Sequence, residues 1–228
     1  MVKPKAIGKI VIDLGMTVLL MLLMAFELIG RAAHEWIGAG MFLLFILHHA
    51  LNRKWSKNLF QGKYMPFRIL QTTLAALALL FMLGSMISAV LISREVFAFL
   101  PVRGGRGFGR TLHMLAAYWG FVFLSLHLGL HWNMIMGMAR RLWKKVSCVR
   151  IVVSRILAAS IALYGVYAFA KRSIPSYLFL QAQFVFFDFE EPLILFFLDY
   201  LAAMGLFVWI GHYLAKAALH FQKGKAKG

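Results

Sequence analysis

The chain has 228 residues, of which 62% are hydrophobic and only 14% charged, far from the half-apolar, quarter-charged balance of soluble domains. Long apolar stretches take up most of it, no loop exceeds roughly 20 residues, and no water-soluble domain is expected beside them. The net charge of +17 sits in short clusters between apolar runs, the pattern that orients membrane helices and binds anionic lipid headgroups, which excludes a nucleic-acid-binding surface. Cys148 stands alone, so an intrachain disulfide, a Cys-x-x-Cys site and covalent c-type haem attachment are excluded as well.

Six stretches meet the roughly 20 apolar residues that a membrane helix needs. In chain order they are 7–29, 34–51, 67–92, 111–138, 151–170 and 192–216, giving an all-α polytopic bundle. Lys3, Lys5 and Lys9 precede the first with no small-x-small cleavage site after it, so it is expected to be a retained span. The first two spans and the next two form a weak repeat, each a plain helix followed by one bearing histidines. Between the fifth and sixth lies an aromatic segment, 173–191, with Tyr177, Phe179, Phe184, Phe186, Phe187 and Phe189. It is expected to lie on the membrane as an amphipathic anchor. Asp188, Glu190 and Glu191 within it offer the alternative of a docking surface for a partner.

Basic residues orient the bundle. One side collects Lys3, Lys5 and Lys9, the Arg53–Arg68 cluster, the 140–155 cluster and the C-terminal lysines, eighteen of the 25 in all. The other holds Arg31, Arg94, Arg103, Arg106, Arg110, Lys171 and Arg172. By the positive-inside rule both termini are expected in the cytoplasm.

An ionisable group within a span is costly and so needs a partner or a task. His34 and His48 lie 14 residues apart in the second span, and His113 and His127 lie 14 apart in the fourth. Fourteen residues are two heptads, so both side chains of each span share a face, about 21 Å apart along the axis. The two spans are parallel, which puts His34 level with His113 near the outer surface and His48 level with His127 near the cytoplasm. Two facing imidazoles at each of two levels are what bis-histidine haem iron needs. A lone membrane histidine is more often a satisfied core residue; a repeated spacing on parallel helices is not so explained. Zinc fits less well, since no third ligand is evident at either level.

Gly120 lies midway between His113 and His127, and Gly38 and Gly40 near the middle of the second span, where small residues admit a close helix or porphyrin edge. Arg103, Arg106 and Arg110 flank a Gly-rich outer loop where haem propionates would be neutralised, against the plain alternative of a solvated basic turn. His49 and His131 are alternates: as ligands, as partners of an inner propionate or a quinol proton, or as ordinary interface histidines. His212 is expected to be structural.

With these pairs in place, the chain resembles the di-haem cytochrome b superfamily and, more narrowly, the flavinylation-associated cytochrome domain family of bacteria and archaea. The matching residues are His-Glu-Trp-Ile-Gly at 34–38, Leu-His-His-Ala-Leu-Asn-Arg-Lys-Trp at 47–55, Leu-His-Met-Leu-Ala-Ala-Tyr-Trp-Gly at 112–120 and Ser-Leu-His-Leu-Gly-Leu-His-Trp at 125–132. The resemblance covers about 5–140. It implies a four-helix core at 1–140 carrying two b-type haems, with 141–228 as a two-helix membrane extension. It further implies a prokaryotic cytoplasmic membrane and electron transfer from quinol or a cytoplasmic donor to an extracytoplasmic flavoprotein or other acceptor. Quinone is then a candidate second cofactor. The rival readings are a ferric-reductase-like or quinol-oxidising enzyme subunit, and a non-redox transporter with Asp199 and His212 lining a path.

Overall fold

The fold is that of a computed structural model, which describes residues 4–59, 61–101, 104–142 and 148–225. Among them every regular element is helical. In chain order these are α1 (Pro4–Leu23), α2 (Phe26–Leu51), α3 (Arg53–Lys57), α4 (Pro66–Ile92), α5 (Arg106–Leu130), α6 (Trp132–Leu142), α7 (Cys148–Lys171), α8 (Ile174–Leu178) and α9 (Leu193–Lys225).

Four of them are long and apolar enough to cross a membrane: Pro66–Ile92, Arg106–Leu130, Cys148–Lys171 and Leu193–Gly224. The chain is thus a helical membrane protein. The first two expected spans are helices of 20 and 26 residues, but they stand outside this group. In α2 the reason is polar content: His34, Glu35, His48 and His49 interrupt its apolar run. Other boundaries move too. Helix α2 starts at Phe26, well before His34, with Gly30 at φ 72° and ψ 171° breaking its first turns. The expected fourth span divides at His131, where α5 ends and the strongly amphipathic α6 begins. Segment 173–191 contains only the five-residue α8; beyond Phe179 it is irregular, so no continuous amphipathic helix forms there.

The chain divides into two compact units, with α4 and α5 contributing to both. The first comprises Met1–Lys63 and Leu83–His113. Here α1 packs along α2 through small residues: a side chain at Gly15 would press on Leu44, and Gly38 and Gly40 face Leu23 and Leu19. The second comprises Tyr64–Met82 and Met114–Gly228. Its core is built where α9 lies against α7 and α5. Gly165 meets the backbone at Ala202, and Gly129 and Gly211 face one another so closely that any β-carbon would strike backbone. Those contacts let the helices approach at a distance only glycine allows. Aromatics fill the rest: Phe81, Trp119 and Phe123 stack, and Tyr118 stacks on Tyr177 with 4.7 Å between centroids. The Trp119 indole donates to the Leu178 carbonyl, fixing α8 in place.

Candidate functional site

The first unit holds a histidine pair. His34, on α2, and His113, on α5, lie with ring centroids 5.9 Å apart and planes at 71°. Gly109, Ser88, Glu35 and Phe26 set this geometry. Gly109 sits one turn before His113, where a β-carbon would come within 2.8 Å of Ile92 and 3.1 Å of Leu91, so α5 starts pressed against the end of α4. That approach brings Ser88, fully buried, within 3.0 Å of His113 Nδ1. The Ser88 hydroxyl donates to the Ser85 carbonyl at 2.9 Å, so its oxygen accepts from the ring. His113 therefore carries its proton on Nδ1 and presents the Nε2 lone pair as the free ligand position.

On the other side Glu35, next to His34, anchors α2. Its carboxylate accepts from the Ser93 hydroxyl at 2.6 Å and from the backbone N–H groups of Arg94, Glu95 and Val96 at 2.9–3.1 Å. Four donors on one carboxylate tie α2 to the chain leaving α4 and hold the His34 backbone in register with Ser88. Phe26 packs edge-on against the His34 ring at 5.1 Å. Among the described residues His34 Nδ1 is buried with no hydrogen-bond partner. A buried imidazole nitrogen left without one calls for an explanation, and a bound group is one.

Of the three loop arginines, Arg106 lines a cavity of about 200 Å³ with Arg94, Ser93, Leu91 and Phe97, beside the turn that carries Ser88. Arg110 is exposed. Arg103 lies outside the described residues. At Gly120 a β-carbon would meet only Phe81 at 3.7 Å, an ordinary contact, so that glycine packs against α4 without being required by it.

His48 has a different environment. Its Nδ1 is 2.7 Å from the Asp13 carboxylate of α1. The Asn52 amide nitrogen is 3.4 Å from Nε2, donates to the His48 carbonyl at 2.9 Å, and leaves its oxygen to accept from Lys9 at 2.7 Å. Both ring contacts agree on the tautomer: Nδ1 bears the proton, and Nε2 bears the lone pair. His49 is exposed, donates from Nδ1 to the Phe45 carbonyl at 3.0 Å and rests on the Phe45 ring. In the second unit His127 and His131 are ring neighbours at 4.9 Å. His212 Nδ1 is buried, with no hydrogen-bond partner among the described residues.

The second unit also has a charge cluster that the histidine pattern does not reveal. Asp199, on α9, has no exposed side-chain surface and accepts from Tyr164 at 2.6 Å, Lys171 at 2.9 Å and Arg172 at 2.8 Å. Glu191 pairs with the same two cations. The hydrogen bond from Lys171, opposed by burial and aided by Arg172, holds the Glu191 carboxyl below its ordinary value. Every acceptor here is engaged, so Asp199 closes the ends of α7 and α9 together and does not line an open path. The signal available in the sequence was the acid itself, placed within an apolar span and needing a partner.

Comparison with protein-family models, curated proteins and solved structures finds no match. Chemistry must therefore come from the site itself. Among the described residues no three His, Cys, Asp or Glu side chains gather to hold a bare metal ion. Two imidazoles are half of a tetrahedral zinc set but the whole axial set of a porphyrin iron. Two metal–nitrogen bonds of about 2 Å plus the radii of two rings span about 6 Å, which is the separation of His34 and His113. The orphaned His34 nitrogen and the serine-fixed His113 tautomer fit the same group.

Proposed function

We propose that this chain is a membrane cytochrome of the b type that carries electrons across the bilayer through two haems. The observation that carries the reading is the His34/His113 pair, spaced for one iron, with Ser88 holding the second nitrogen of His113. His34 and His113 are the outer ligands. His48 and His127 are the inner ones on the strength of the two 14-residue spacings, with His49 and His131 as alternates. Haem supplies a one-electron carrier whose potential the protein sets through its ligands and their hydrogen bonds.

The chain's own residues do the rest. Ser88 and Asp13 fix the ring tautomers, Glu35 fixes the depth of His34, and Arg106, with Arg94, offers positive charge to propionates. All six expected spans cross, α1 and α2 being admitted because their polar residues pair with one another or with the cofactor. The termini are cytoplasmic on the distribution of Lys and Arg, and the prokaryotic cytoplasmic membrane rests on the sequence resemblance. Quinol or a cytoplasmic donor feeds the inner level, and an extracytoplasmic flavoprotein or similar acceptor draws from the outer one. Placement in the flavinylation-associated cytochrome family rests on the sequence resemblance.

The test is a dithionite-reduced minus oxidised spectrum with a pyridine haemochrome count, on wild type and His113→Ala purified in detergent. About two b haems per chain, falling towards one in the variant, is the expected result. A chain that takes up no haem when expressed with haem supplied overturns the proposal.

A further inference from the structure

The chain between α4 and α5 is built around an acid, yet it leaves two cations unused. Glu35 accepts from the Arg94 backbone N–H at 3.0 Å, from those of Glu95 and Val96, and from the Ser93 hydroxyl. The Ser93 oxygen in turn accepts from the Phe97 N–H at 2.9 Å, and the Leu100 N–H bonds to the Phe97 carbonyl at 3.0 Å. Residues 93–100 are therefore fixed without the Arg94 side chain. A carboxylate and a guanidinium so near in the chain commonly pair; here the carboxylate takes the backbone of Arg94 and not its head group.

Arg94 and Arg106 both line the cavity of about 200 Å³, with Ser93, Phe97 and Leu100 between them in the chain. No acid lines it, and among the described residues neither guanidinium has an ion-pair partner. No histidine lines it either, so it is a space apart from that between the His34 and His113 rings. Two cations at one cleft without an acid in its wall favour an anion there, and guanidinium forks match the paired oxygens of a phosphate. Helix α4 ends at Ile92 and α5 begins at Arg106, and both are long and apolar enough to cross a membrane. The cavity thus lies where hydrocarbon gives way to headgroups. Phe99, 77% exposed, and Phe108, 67% exposed, stand beside the arginines in the chain. Exposed rings next to basic side chains suit that interface, the rings against lipid and the charge against phosphate.

We propose that Arg94 and Arg106 form a binding site for the phosphate of an anionic phospholipid headgroup. The site does not depend on haem: two guanidinium groups carry about ten N–H donors, a propionate accepts about four hydrogen bonds, and donors remain for a phosphate. A lipid held there anchors the joint of α4 and α5, and with it the segment that Glu35 binds, at headgroup depth.

Native mass spectrometry of the full chain, delipidated in detergent and titrated with phosphatidylglycerol or phosphatidylcholine, tests this. Wild type should hold one phosphatidylglycerol in preference to phosphatidylcholine. Arg94→Gln with Arg106→Gln should weaken that binding by about tenfold or more, since the bonds lost are to a charged group. Arg53→Gln with Lys54→Gln, which takes the same charge from exposed α3, should leave it unchanged. Inorganic phosphate should fail to displace the lipid. Ready displacement by phosphate makes this a free-anion site and overturns the lipid occupant. A wild type that prefers neither lipid overturns it too, as does a control pair that loses as much as the arginine pair. Haem content, counted as pyridine haemochrome, separates the remaining case: a double variant that loses haem but keeps the lipid assigns both arginines to propionates alone. Should the double variant fail to fold, a photoactivatable phosphatidylglycerol on wild type decides instead. Its crosslinks should map to residues 93–108, and crosslinks confined elsewhere overturn the site. A haem-free chain that still holds the lipid overturns the cytochrome and leaves this site standing.

Discussion

Two clusters of buried polar groups, one in each unit, are built in opposite ways. In the second, Asp199 is surrounded by Tyr164, Lys171 and Arg172, and Glu191 completes the set, so charge and hydrogen-bonding capacity are used up internally. In the first, His113 and His34 are held from outside by Ser88 and Glu35, yet each keeps a nitrogen that nothing described occupies. Both arrangements are expensive in an apolar setting. A complete cluster is accounted for by the folding it secures. An incomplete one, with a buried ring nitrogen that no described residue pairs, is what the proposed haem would complete.

The sharpest way to break the comparison is to open the closed cluster. Asp199→Ala leaves Arg172 with one carboxylate and strips Tyr164 of its acceptor. Removing one partner of a buried pair costs about 3–5 kcal/mol, and partial exposure of Lys171 puts this case at the lower end. A large fall in the thermal midpoint of the detergent-solubilised protein is expected, with haem content per folded chain unchanged. Loss of haem from chains that stay folded would mean that the cluster also supports the haem site through His127, which lies in the same unit.

How much of this was legible in the sequence depends on whether the cause was periodic. The 14-residue spacing depends only on helix geometry, and it puts His34 level with His113, whose rings are indeed neighbours. What the spacing could not supply were the aperiodic contacts. Ser88 reaches His113 because Gly109 lets α5 press against the last turns of α4, a close approach that no spacing gives. Glu35 reads as one more outer acid, because its four donors come from an irregular segment whose path no periodicity gives. The division at His131 was hidden as well: residues 111–138 carry no Asp, Glu, Lys or Arg, and an uncharged run does not say where a helix stops.

Ser88→Ala sharpens the comparison from the open side. It deletes the acceptor that fixes the His113 tautomer while leaving the ring and its packing. Removing such an outer partner costs about ten- to a hundred-fold in metal-site affinity, or about 1.4–2.7 kcal/mol. Faster haem loss to excess apomyoglobin is the measurement, and an unchanged rate would show that Ser88 does not support a ligand. Glu35→Gln comes next. It keeps the shape but replaces charge-assisted bonds by weaker ones and turns one oxygen into a donor, at a cost of about 1 kcal/mol. Hydrogen exchange at the amides of Arg94, Glu95 and Val96 should quicken, while the amides around Asp199 stay protected.

The smallest effect tests whether the closed cluster is held by charge or only by shape. The Glu191 carboxyl lies below its ordinary value, chiefly through the Lys171 hydrogen bond, against burial and with Arg172 assisting. A carboxylate whose folded pKa is depressed contributes stability that is fully present above its unfolded pKa of about 4.3 and disappears as pH falls through the lower folded value. The wild-type thermal midpoint should therefore gain nothing from Glu191 titration near neutrality, and should fall below about pH 4.5 more steeply than that of Glu191→Gln, which has no proton to take up there. Parallel acid limbs would mean that Glu191 is held in place by packing alone, and that the cluster's closure rests on Asp199 with its three donors.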